Sequence, residues 1–91
     1  MIKSNAQVQT QDAQRLINRL CRHWGHKYPV KLEEGFGEIE LPRGMCRMYA
    51  GDVLTVELEG EGDQMPRFQE VVAEHLQRMA GKDEELAFEW R

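Results

Sequence analysis

Apolar residues recur along this chain with a period that changes twice, from about 3.6 to 2 and back to about 3.6, and that switch limits the fold more than any other feature. Ala13, Leu16, Ile17, Leu20, Cys21 and Trp24 share one helical face, while Gln11, Gln14, Arg15, Asn18, Arg19 and Arg22 share the opposite one. The spacing predicts a helix over 10–25, with Thr10 as N-cap, Asp12 in the first turn and Gly25 ending it in a left-handed conformation. From residue 28 to residue 59 the period is two. Tyr28, Val30 and Leu32, then Ile39 and Leu41, then Cys46, Met48 and Ala50, then Leu54, Val56 and Leu58 alternate with other residues. Turns are expected at Glu33–Gly37, Pro42–Gly44 and Gly51-Asp52. The helical period returns over 63–81, where Phe68, Val71, Val72, His75, Leu76 and Met79 form a stripe between a start at Asp63 and Pro66 and a cap at Gly81.

Two helices with one apolar stripe each need a sheet face to cover. The expected architecture is therefore α+β, a two-layer sandwich in which two helices pack on one face of a four-stranded antiparallel meander. Short terminal strands are possible additions. Residues 1–9 read as an arm or short strand, with Ser4 in a frayed terminus, and Leu86, Phe88 and Trp90 within 84–91 suit a short edge strand or a helical turn. A chain of 91 residues forms one domain, which excludes enzymes built from separate cofactor and substrate domains.

The formal charge of −4 is uneven. Residues 1–32 carry net +5 and residues 33–91 net −9, so the molecule is expected to be electrically two-sided. An acidic whole argues against nucleic acid as a partner. Two cysteines are too few for a disulfide scaffold, the polar start lacks a signal-peptide core, and no apolar run approaches a membrane span. The expectation is a cytoplasmic protein with reduced thiols and no membrane partner.

Few residues can carry chemistry. Cys21 and Cys46 fall at core positions, where a thiol has a raised pKa and is inert. The Gly35-Phe36-Gly37 and Gly60-Glu61-Gly62 pairs are surrounded by carboxylates and read as turns rather than phosphate loops. His75 stands in the apolar stripe of the second helix, where its ring needs a hydrogen-bond partner or a metal. It reads either as a neutral core histidine on a backbone carbonyl or carboxylate, or as a ligand contact. Cys21 and His23 diverge around the first helix, whereas His26 can fold back toward His23. Arg15, Arg19 and Arg22 share a face that either is simply solvated or clamps an acidic partner or small anion. Trp24 and Trp90 read as core-edge residues or as stacking platforms.

The stretch from Thr10 to Val30, with Cys21, His23, Trp24, Gly25 and His26 at its centre, resembles the opening of a bacterial family known as domain of unknown function 2218. The Ile39–Cys46 segment, the His75–Ala80 segment, Glu85 and Trp90 extend the resemblance over nearly the whole chain. Where that family is expected to carry an aromatic after Arg-Phe-Ala, this chain reads Arg78-Met79-Ala80-Gly81-Lys82-Asp83. The family is uncharacterised. Its occurrence beside siderophore-interacting flavin reductases implies an accessory role in iron acquisition.

The functional expectation is a non-enzymatic binding or accessory domain. Its ligand surface is expected at His23, Trp24, His26, His75 and Arg78, with metal and cofactor left open. The alternative is an interaction module that docks an acidic protein through Arg15, Arg19 and Arg22. No catalytic residue is expected, since neither His26 nor His75 has an evident partner for acid–base work.

Overall fold

The structure is a computed structural model that describes residues 1–82 and 84–91; Asp83, in the stretch that departs from the family pattern, lies outside the described residues. Its elements run β1 (Ile2–Val8), α1 (Ala13–Gly25), β2 (Val30–Glu33), β3 (Phe36–Leu41), β4 (Gly44–Ala50), β5 (Leu54–Gly60) and, after a 3-10 turn at Gly62–Gln64, α2 (Met65–Ala80). The architecture is α+β with both helices on one face of an antiparallel sheet. The sheet has five strands in the order β1-β5-β4-β3-β2, not four.

The additional strand is β1, which pairs along its full length with β5, from Ile2 opposite Gly60 to Val8 opposite Leu54. Ser4, Ala6 and Val8 turn inward and are buried. Ser4 is thus not in a frayed end: its hydroxyl accepts a 2.8 Å hydrogen bond from Nε2 of Gln69 on α2. The pairing satisfies the outer edge of β5 and lets a strand of modest hydrophobicity contribute Ala6 and Val8 to the core.

The helix ends also differ from the expectation. Asp12, not Thr10, caps α1 by accepting from the Arg15 amide at 3.0 Å. Thr10 instead donates its hydroxyl to Oε1 of Glu84 at 2.7 Å, tying the C-terminal segment down. Gly25 keeps a negative φ, so the left-handed ending is not used. The chain leaves α1 through a turn in which the Trp24 carbonyl accepts from the amides of Lys27 and Tyr28 at 3.0 and 2.8 Å. α2 starts at Met65 rather than Asp63, and Gly81 ends it at φ 79°.

Gly37 belongs to β3, not to the preceding turn. A Cβ there would lie 2.5 Å from Cγ2 of Ile17 and 2.9 Å from Sγ of Cys21, so its missing side chain is what lets α1 lie close on the sheet. The core between the layers gathers Leu16, Ile17, Leu20, Ile39, Met48, Val56, Leu58, Phe68, Val72 and Leu76, all buried. The opposite sheet face is open. Arg47 lies at its centre, 2.9 Å from Glu38 and 3.4 Å from both Glu57 and Glu59, and the hydrogen bond to Glu38 is the main reason its guanidinium holds its proton more tightly than usual.

The C-terminal segment forms no regular element, yet it alternates as expected. Leu86 is buried and Phe88 and Trp90 are half-buried, their rings stacked at 5.7 Å. Gln77 holds the segment from α2 by donating to the Glu84 carbonyl and accepting from the Leu86 amide, both at 2.8 Å. Asn5 and Arg91 then exchange backbone hydrogen bonds at 3.0 and 2.8 Å, so the end of the chain lies along the free edge of β1.

Candidate functional site

The fold brings three of the five expected ligand residues together. His75 is in the third turn of α2 and reaches toward the C-terminal end of α1, where its ring centroid lies 4.7 Å from that of Trp24 and 5.4 Å from that of His23. His23 and Trp24 are 6.2 Å apart. Trp24 is buried, His75 half-buried and His23 exposed. The cluster thus runs from the core to the surface.

The His75 ring is fixed by its own helix. Nδ1 lies 2.7 Å from the Val71 carbonyl, one turn earlier. A carbonyl only accepts, so Nδ1 carries the hydrogen and donates it, which leaves the lone pair of the neutral ring on Nε2. The expected satisfied histidine is therefore present, with a second ring nitrogen to spare.

Beside this cluster is a recess of about 100 Å³ where the C-terminal end of α1, the β3–β4 hairpin and α2 meet. Its apolar walls come from Trp24, Leu41, Pro42, Phe68 and Val71, and its polar groups from His75, Arg43 and Tyr28. The turn closed on the Trp24 carbonyl brings Tyr28 back beside the indole. The two-residue connection Pro42-Arg43, followed by Gly44 at φ 147°, places the arginine at the rim. Local periodicity gave no sign of Arg43, which comes from a turn, and it placed Tyr28 at the start of a strand, whereas β2 begins at Val30 and Tyr28 lies in the turn before it. The sole signal was that Tyr28 and the Ile39–Cys46 segment lie in stretches that carry the family resemblance.

The other two ligand residues stand elsewhere. His26 is exposed at the end of α1 and joins neither the ring cluster nor the recess. Arg78 is exposed on another side of α2, in an open hollow with Ala73, Glu74, Leu86 and Phe88. Of the three arginines expected to dock a partner, Arg19 is engaged within the fold, donating at 2.6 Å to the Met79 carbonyl in the last turn of α2. Arg15 and Arg22 are exposed and flank a shallow hollow with Asp12 and Asn18.

Both cysteines are buried and free. Burial pushes the Cys21 thiol from its ordinary 9.0 up to about 11 and pushes Cys46 higher still, so both remain protonated thiols at neutral pH. Among the described residues no three His, Cys, Asp or Glu side chains stand close enough to enclose a metal ion. Among the described residues no helix is long and apolar enough to cross a membrane.

The chain resembles a solved protein over its whole length. The NMR structure of PA4090 from Pseudomonas aeruginosa matches it with a TM-score of 0.81 at 39% sequence identity, covering 100% of this chain and 96% of that one. No curated protein matches it. The family model described as "Uncharacterized protein conserved in bacteria" (DUF2218) matches residues 5–91, a span that holds Trp24, Tyr28, Arg43 and His75, and the chain belongs to that family.

Proposed function

We propose that this protein is a binding domain that takes a small, flat, anionic molecule into the recess between the end of α1, the β3–β4 hairpin and α2. The observation that carries this reading is the composition of that recess. Aromatic and aliphatic walls meet a guanidinium and an imidazole nitrogen within about 100 Å³. That volume is below the several hundred Å³ usual for drug-sized ligands and approaches an engineered cavity of ~150 Å³ that holds benzene. The ligand is therefore one ring in size, or one ring of a larger molecule whose remainder stays in water. Trp24 and Phe68 would face its plane, and Arg43 would meet its carboxylate or phenolate at the rim. Lys27, whose ammonium lies 5.7 Å from the Tyr28 ring, adds positive charge beside the recess. A ferric chelate would enter only by such a ring, so the implied link to iron acquisition narrows to recognition of one arm.

Titration with benzoate, followed by amide and indole resonances, tests the reading. Localised shifts at Trp24, Tyr28, Val71 and His75 are expected, with a dissociation constant in the range of about 0.1–1 mM, as befits so few ligand atoms. Arg43→Gln should weaken binding roughly fivefold, about 1 kcal/mol, while leaving the fold intact. Unchanged spectra at ~10 mM benzoate, some tenfold above that range, would refute it.

A further inference from the structure

We propose that His23 and His75 form a two-histidine site for a divalent transition metal where α1 and α2 meet. Three observations carry it, and none depends on what the recess binds. The first is the spacing. With nitrogen–metal distances of about 2.0–2.1 Å and roughly 1.1 Å from a ring nitrogen to its centroid, two imidazoles on one tetrahedral ion have centroids about 5.2 Å apart. The centroids of His23 and His75 are 5.4 Å apart, with ring planes inclined by 50°. The observed separation is close to that of two rings sharing one ion.

The second is the state of the His75 ring. Histidines that bind metals typically donate their other nitrogen to a carbonyl or carboxylate, which fixes the tautomer and turns the ring. Nδ1 of His75 makes that bond to Val71 at 2.7 Å, and Trp24 packs at 4.7 Å. Nε2 is thus the basic nitrogen, on a ring held in place from two sides. The third is access. His23 is exposed and His75 half-buried, so an ion can arrive from water and lose only part of its hydration shell.

Among the described residues no third His, Cys, Asp or Glu completes the set, so water or a small ligand would occupy the remaining positions. The imidazole pair suits Cu²⁺, Ni²⁺ and Zn²⁺ over Mg²⁺ and Ca²⁺, with Cu²⁺ bound more tightly than Zn²⁺.

The test is a Zn²⁺ titration of untagged protein, read by the ring-nitrogen resonances of its three histidines. At one equivalent, Nε2 of His75 and one ring nitrogen of His23 should shift together while those of His26 stay in place. His23→Gln, at an exposed position that leaves the core untouched, should weaken Zn²⁺ binding by at least about tenfold, and His75→Gln should do the same. His26→Gln should bind as the unsubstituted protein does. The proposal is overturned if neither ring responds at about tenfold molar excess, if only one of them moves, or if His23→Gln retains full affinity. Benzoate binding by His23→Gln distinguishes the two readings, because the recess does not use His23.

Discussion

At the scale of single residues, burial has made the two cysteines into packing groups. The Cys21 thiol lies under Gly37 and holds its proton up to about pH 11, whereas in the unfolded chain it releases it near 9.0. Between those values the folded state binds more protons than the unfolded one, so folding stability is intact below pH 9.0 and declines as pH rises toward 11. Other groups titrate in that range, and a comparison isolates the thiol. The stability of Cys21→Ala, measured by urea unfolding at pH 8 and pH 10.5, should fall less across the interval than that of the unsubstituted protein, by up to about 2 kcal/mol. An equal fall in both would show that the thiol is not desolvated. This behaviour was legible in the sequence, because Cys21 and Cys46 stand at inward positions of their elements. The close contact with Gly37 was not, since a glycine beside a predicted turn gives no sign that a helix lies against it.

At the scale of elements, the two helices are joined by a polar contact as well as by their stripes. Arg19 reaches from α1 to the Met79 carbonyl, one of the last-turn carbonyls of α2 that lack a helical partner. Its neighbours Arg15 and Arg22 are exposed on the same helix. Arg19→Met, which keeps most of the aliphatic stem, should lower stability by about 1–2 kcal/mol and speed hydrogen exchange in the last turn of α2. The double change of Arg15 and Arg22 to Gln should stay within about 0.5 kcal/mol of the parent. Equal effects from both would place all three on a merely solvated face. Helical periodicity grouped these arginines correctly, but it reports only which way a residue faces. It carries no information on what a second helix brings opposite, and so it could not single out Arg19. The same limit explains the site. An unusual histidine in an apolar stripe marked His75, and a tryptophan at the stripe's end marked Trp24, whereas Tyr28 and Arg43 reach the recess through turns whose placement is tertiary.

At the scale of the whole molecule, the two chain ends close the fold jointly. β1 pairs with β5 across more than half of the sequence, and residues 84–91 then lie against α2 and the edge of β1. The alternation in residues 1–9 is too short to tell a strand from an arm, and the partner of β1 lies far along the chain, which is why the sequence counts four strands and leaves this one open. Removal of residues 85–91 should cost roughly 3–5 kcal/mol, since it deletes the buried Leu86 with the half-buried Phe88 and Trp90. The uncovered edge of β1 should also lead to self-association, visible by light scattering. A monomer of unchanged melting temperature would mean that the segment rests on the fold without supporting it.

The charge split along the sequence does not map simply onto the two layers. α1 lies behind one sheet face with Arg15, Arg22 and Lys27 exposed, while Glu33, Glu38, Glu40, Glu57 and Glu59 belong to the other face or its margin, where Lys3, Lys31 and Arg47 partly offset them. The outer side of α1 is therefore a local basic patch within a layer that also exposes Glu70 and Glu74 on α2. At physiological salt such a patch is felt only within about 8 Å, so it can orient an anionic partner at contact but does not steer one from afar. The recess and the histidine pair lie at the end of α1, on the same helix as that patch.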